Sequence, residues 1–193
     1  MIADARAVKR RISKRFAGNP FPTLWLFTDF QRHPDPLPMI AKLPRDGAGV
    51  VFRHDDDPKR AALLVEVIRL CRARRIALVV AGGLVPPAGV GVHLRGGRGG
   101  VMPRGHGWIT ASAHDRREIM RAARAGADLI FLSPVWESAS HKGVAGLGAL
   151  RWRMLARLSP VPVLALGGVQ RRRLRLLGNF CCGAGAIGAF ATG

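Results

Sequence analysis

Groups able to do chemistry are gathered at a few places in this chain of 193 residues. Arg53-His54-Asp55-Asp56-Asp57 sets a cation and an imidazole just before three carboxylates. Those carboxylates support two readings: oxygen ligands for magnesium, or favourable negative charge at a helix N-terminus. Ser112 and His114 pair a hydroxyl with a group that titrates near neutrality. Further on, Ser133, Trp136, Glu137, Ser138, Ser140, His141 and Lys142 crowd one loop. His141-Lys142 has the charge to clamp a pyrophosphate, and a basic pair in a loop is equally ordinary solvated charge. Gly167-Gly168 and Gly188 would let backbone N–H groups approach an anion closely. The pair Gly167-Gly168 reads just as well as a tight strand-to-helix turn. His93 faces either a sheet interior or a covering helix.

The elements that must position these groups alternate. Apolar runs of strand length fall at residues 24–28, 49–53, 77–81, 91–94, 108–112, 129–134, 163–166 and 184–189. They are continuous rather than alternating, as strands buried on both faces of a parallel sheet read. The clearest helix runs over 58–74, with Asp57 as N-cap, Pro58 at the first helical position, and a stripe of Ala62, Leu63, Val65, Ile68 and Leu70. Another starts at Asp115, with Glu118 in a capping-box spacing, and ends at Gly126. Helices also fit 148–158, 170–177 and, within a basic segment 1–18, residues 3–16. Eight strands with intervening helices predict a small (β/α)8 TIM barrel of the α/β class, one domain over 1–193. An open, doubly wound sheet is the alternative. At about 24 residues per unit some helices must be short or missing; residues 81–91, with Pro86 and Pro87, have no room for one. In such a barrel the reactive groups sit at the C-terminal ends of the strands, which is where the residues above fall.

Thirty-one basic against 12 acidic residues give a net charge of +19, nearly all of it arginine. That favours anionic partners: phosphorylated small molecules first, nucleic acid second. The basic clusters at 6–15, 69–75 and 171–175 lie on helical patterns and read as solvated faces. Arg95-Gly-Gly-Arg-Gly-Gly100 resembles an RNA-binding RGG segment, but no aromatic is interleaved and the chain has no tyrosine. The longest apolar stretch, 161–169, is broken by Pro162 and two glycines, so no membrane span is expected. The basic start lacks the apolar core of a secretory signal. Cys71, Cys181 and Cys182 make neither a disulfide framework nor a metal spacing, and a reducing cytoplasm is the expected location.

The order of motifs resembles the thiamine-phosphate synthase family. Leu24-Trp-Leu-Phe-Thr-Asp29 is similar to the family's first strand, L-Y-L-I-T-D, and Gly91-Val-His-Leu94 to its fourth. Ser112-Ala-His114, then Glu118 and Ala125-Gly-Ala-Asp128, resemble the fifth strand and its helix. Ser133-Pro-Val-Trp-Glu-Ser-Ala-Ser-His-Lys-Gly143 is similar to the loop G-P-[VI]-[FY]-x-T-x-[ST]-[KH]-x-G. Pro162-Val-Leu-Ala-Leu-Gly-Gly168 resembles the seventh strand, and Ile187-Gly-Ala-Phe190 the family's I-S-A-I.

The resemblance implies a transferase of thiamine biosynthesis that joins hydroxymethylpyrimidine diphosphate to a thiazole phosphate and releases pyrophosphate. It implies Arg53, Ser112, His141 and Lys142 on the pyrophosphate. Ser138 and Ser140 fall near the thiazole phosphate, with Gly167, Gly168, Ile187 and Gly188 around it as backbone donors. It also implies Mg2+, yet no metal ligand is assignable. The family's Q-x-R-x-K after strand two reads Val51-Phe-Arg-His-Asp55, and its N-D after strand three reads Ala81-Gly82. The second magnesium carboxylate belongs after strand four, where this chain has Arg95-Gly-Gly-Arg98, so Arg98 is a stand-in for the metal's charge. Two alternatives stay open. One is a magnesium-independent thiazole tautomerase of the same superfamily with His114 as general acid/base; the other is a non-catalytic barrel that binds phosphorylated ligands or RNA.

Overall fold

A computed structural model describes residues 21–99, 107–137, 143 and 145–187. Eight strands, β1 Leu24–Phe27, β2 Ala48–Phe52, β3 Ala77–Ala81, β4 Gly91–Leu94, β5 Ile109–Ala113, β6 Leu129–Leu132, β7 Val163–Leu166 and β8 Cys181–Ala186, pair in sequence order, all parallel. The ring closes between β1 and β8, where Leu24 faces Ala184 and Trp25 faces Gly185. Closure rules out the open doubly wound sheet. The helices are α1 Leu37–Ala41, α2 Arg60–Arg74, α3 Arg116–Arg124, α4 Gly148–Arg157 and α5 Arg171–Leu174, with 3-10 turns at Arg95–Gly97 and Arg175–Phe180. No helix among the described residues is long and apolar enough to cross a membrane.

Alternation along each strand sorts side chains to two faces. Inward go Trp25, Phe27, Val51, Val79, Phe131 and Leu164, packed as one cluster. Phe131 receives Trp25 and Phe27 edge-on, with ring centroids 5.6 and 4.8 Å away, the arrangement aromatic quadrupoles favour. Gly49 makes room for this layer, because a Cβ there would lie 2.4 Å from the Trp25 ring. His93 also points inward, edge-on to Phe27 at 5.6 Å and within 2.8 Å of the Thr110 hydroxyl. Of the two orientations open to it, the interior is therefore the one it takes. Outward-facing residues meet the helices: Val50, Phe52 and Val80 pack with Leu64, Val67 and Cys71 of α2. Around β5 to β7, Ala111, Ile130 and Ala165 pack with Ile119 of α3 and Trp152 of α4. The three cysteines are buried, and none is in a disulfide.

Several boundaries differ from expectation. Helix α2 begins at Arg60, not at 58, because Asp57 accepts from the Lys59 N–H at 2.8 Å and closes a turn ahead of the helix. Its buried stripe is Leu64, Val67 and Cys71, off the phase of the expected one: Leu63, Ile68 and Leu70 pack partly buried against the same cluster, and Ala62 and Val65 are exposed. The helix expected over 170–177 is only α5, because the chain then tightens into the 3-10 turn Arg175–Phe180, broken at Gly178 with φ 64°. Strand β8 starts three residues early, at Cys181, whose small apolar side chain is buried like a core residue. Strand β6 stops at Leu132, ahead of a cis Ser133–Pro134 bond, and β5 is shifted by one residue. Asp115 caps α3 as expected, and Gly126, just past the end of that helix, takes φ +86°. The expected helix at 3–16 lies outside the described residues.

Candidate active site

The C-terminal ends of the strands gather at one mouth, and the first two strands build its cationic side. Arg53 follows β2 directly. Its N–H donates to Thr28 Oγ1 at 2.9 Å, and its guanidinium meets Asp29 at 3.0 Å. The same Thr28 hydroxyl lies 2.9 Å from Nδ1 of His54, whose Nε2 donates to the Pro34 carbonyl at 3.2 Å. His54 is fully buried and stacks on Phe52 at 5.3 Å. Its bonds tie the loops after β1 and β2 together; the imidazole belongs to the scaffold rather than to the mouth.

Asp55, read as a magnesium ligand or a helix-end charge, does neither. Its Oδ1 pairs with Arg60 at 3.0 Å and its Oδ2 with Arg95. Arg60 also donates to the Ala81 carbonyl at the end of β3 and sits 5.9 Å from the centre of the Phe52 ring. Burial holds the Arg60 guanidinium below its usual value. Arg95 is lowered by burial first and by the charge of Arg53 second, so the two cations face the same space. Arg98, expected to stand in for the metal's charge, is exposed and makes no ion pair with Asp55; Arg95 takes that position, because it is the residue that leaves β4 at the mouth. Arg60, Arg95 and Asp29 were not singled out as site residues in the sequence. The available signal was strand-end placement for Arg95 and Asp29. Arg60 had none, since it opens a helix and reads as surface.

The opposite side is built from β5, β6 and β7. Ser112 Oγ accepts from the Gly96 N–H at 3.0 Å and pins the turn after β4. His114 is exposed, and its Nδ1 lies 2.7 Å from the Ser133 carbonyl. A carbonyl only accepts, so Nδ1 carries the proton, and in the neutral ring Nε2 is then the acceptor. Glu118 fixes the His114 backbone by accepting from its N–H at 2.8 Å. After β6 the chain lies across the end of β7: Val135 N–H donates to Leu166 at 3.0 Å and Trp136 N–H to Gly167 at 3.2 Å. Arg173 covers Trp136 at 5.8 Å. Here the glycine pair is obligatory. Gly167 and Gly168 have φ of +84° and +63°, and a Cβ on Gly168 would lie 2.5 Å from the Glu137 carbonyl. Ile187, half-buried, ends the described chain over the interior cluster. Ser138, Ser140, His141, Lys142 and Gly188 lie outside the described residues.

Magnesium does not fit the donors present. A hard cation needs several free oxygen ligands. Both oxygens of Asp55 are taken by guanidinium groups and Asp29 is paired with Arg53. Among the described residues no group of three or more His, Cys, Asp and Glu could hold a metal.

Comparison with known proteins agrees with the geometry. The chain is 32% identical over 162 residues to a thiamine biosynthesis bifunctional protein ThiED from Geobacter sulfurreducens, a match covering 77% of this chain and 32% of that protein. Over 64 residues, 33% of this chain and 29% of the relative, it is 34% identical to a thiamine-phosphate synthase from Methanosarcina barkeri. The matched stretch thus spans about a third of these relatives' length. A thiamine phosphate pyrophosphorylase from Pyrococcus furiosus shares the fold, with a TM-score of 0.67, 20% identity and 86% of each chain covered. The family model described as thiamine monophosphate synthase matches residues 41–188, and the chain belongs to that family.

Proposed function

We propose that the chain is a thiamine-phosphate-synthase-type transferase. The bond between the pyrimidine methylene carbon and the diphosphate oxygen breaks. The diphosphate leaves with the bonding pair, and the thiazole nitrogen lone pair forms the new C–N bond. The observation that carries the reading is the placement of Arg53: held by Asp29 and Thr28 at the end of β2, it stands at the same mouth as the Gly167–Gly168 turn after β7. Arg53 takes the developing charge on the leaving group, as fixed cations do in sites of this kind. Ser112 holds the β4 turn beside it. Gly167, Gly168 and Ile187 border the thiazole-phosphate side. The family resemblance adds Ser138, Ser140 and Gly188 to that side and His141 and Lys142 to the diphosphate; these five lie outside the described residues. Buried cysteines outside any disulfide suit a reducing cytoplasm.

The test is direct. Both substrates are mixed with the chain, with magnesium and with EDTA, and thiamine phosphate is quantified. Product in either condition supports the transferase; none with enzyme in excess over substrate overturns it.

One observation favours a second reading. His114 presents an accessible Nε2 lone pair at the mouth and needs no metal to move a proton. The magnesium-independent thiazole tautomerase uses such a group. If it is the activity, His114→Ala abolishes proton exchange on a thiazole carboxylate phosphate; unchanged turnover removes the reading.

A further inference from the structure

The misfit with magnesium has a definite shape. On the family pattern one metal carboxylate belongs at position 82. Here a Cβ on Gly82 would lie 2.7 Å from Asp55 Oδ1 and 3.2 Å from Arg60 Nη2, so an ion pair fills the space where that side chain would start. Arg60 is fixed there by Asp55, the Ala81 carbonyl and the Phe52 ring. Its side chain is 14% exposed, and its Nε is buried with no partner among the described residues. Arg95 closes on the other oxygen of Asp55 but keeps 55% of its side chain exposed. Arg53 completes the group from β2. Three guanidinium groups against Asp29 and Asp55 leave one net positive charge at this side of the mouth.

We infer that this cluster is a metal-free diphosphate subsite, in which Arg95 and Arg53 take the anion's oxygens directly and the Asp55–Arg60 pair is the strut that positions Arg95. Guanidinium forks match phosphate oxygens in two parallel hydrogen bonds, which a spherical cation cannot do. The exposed Arg95 can turn from Asp55 to an anion while Arg60 keeps the carboxylate neutralised. The ligand class is a diphosphate, inorganic or esterified. Only its identification as the leaving group rests on the transferase reading.

Inorganic pyrophosphate is the probe, titrated calorimetrically into the full chain at fixed ionic strength, first in EDTA and then in magnesium. Saturable binding to one site is expected in EDTA, with no gain from magnesium. Arg95→Ala and Arg95→Gln should each weaken it about tenfold or more. Arg124→Ala, on the outer face of α3, should leave it unchanged. Thermal unfolding shows whether the Arg95 variants keep the parent fold, and the milder Gln variant decides if the Ala variant does not. Binding only with magnesium overturns the inference. So does parental affinity in both Arg95 variants, or an equal loss in Arg124→Ala, which would reveal diffuse charge. Pyrophosphate bound in EDTA by a chain that makes no thiamine phosphate would remove the transferase reading and keep the subsite. Product formed only with magnesium, together with magnesium-dependent pyrophosphate binding, would do the reverse.

Discussion

Arg53 is tied to β1 twice, by backbone and by side chain, so its charge arrives at the mouth already oriented. Removing one such charge-assisted contact costs about 2–4 kcal/mol of transition-state stabilisation, roughly 30- to 1000-fold in rate. On the proposed reading, Arg53→Ala should therefore cripple coupling in a single-turnover assay yet leave thiazole phosphate binding intact, since that reading assigns the thiazole phosphate to the Gly167–Gly168 turn after β7. Gly168→Ala should act differently. Its Cβ would collide with the Glu137 carbonyl, so the loop after β6 must lift. Overpacking and left-handed strain of this kind cost about 1–3 kcal/mol, which denaturant unfolding will register as a lower midpoint together with lost thiazole phosphate binding. At this scale the sequence placed Arg53, Ser112 and His114 at strand ends, because each stands at the close of an apolar run. It hid the Asp55–Arg60–Arg95 cluster, whose members come from two units that are not consecutive. Arg95 and Asp55 are 40 residues apart along the chain, and only closure of the barrel brings them together.

Helix α3 is the element on which the His114 side of the mouth depends. Asp115 accepts from the Glu118 N–H at 2.8 Å, and Glu118 reaches back to the N–H of His114. Cap and site therefore share one hydrogen-bond circuit. Asp115→Ala should cost about 0.5–2 kcal/mol, a fall in Tm of about 2–4 °C per kcal/mol for a chain of this size. Glu118→Gln, which can still accept, should cost less in the same melting experiment. This helix could be read from its cap and Glu118, and the strands from their continuous apolar character. Helix α1 was not foreseen: it is five residues long, flanked by prolines, and buries only Ile40. The phase error in α2 has a similar cause, since apolar residues lie on both sides of its true stripe and only packing against Val50 and Val80 selects among them.

Across the whole molecule the barrel interior sets the response to acid. Burial, and then the charge of Arg53, pushes His93 down to about 3, whereas the unfolded chain binds that proton near 6.5. The unfolded state thus holds more protons between these limits. The contribution of His93 is complete above about pH 6.5 and is lost as pH falls toward 3, at up to about 1.4 kcal/mol per pH unit. Urea unfolding of the parent and of His93→Gln should converge as pH drops from 7 to 4; parallel curves would refute the assignment. Closure itself was legible from eight apolar runs, but the fit of Gly49 beneath Trp25 was not, because it pairs neighbours from separate strands. The three sequestered thiols have a practical consequence. Burial raises Cys71 and Cys181 to about 12, so neither reacts with an alkylating reagent until its surroundings open. Cys71 is on the buried face of α2, whereas Cys182 packs among the inward-facing residues with Trp25. The chain thus carries two clocks at different depths: pulsed alkylation read by peptide mass should label Cys71 when α2 lifts and Cys182 only when the staves of the barrel part, timing the peeling of its shell separately from the breaking of its ring.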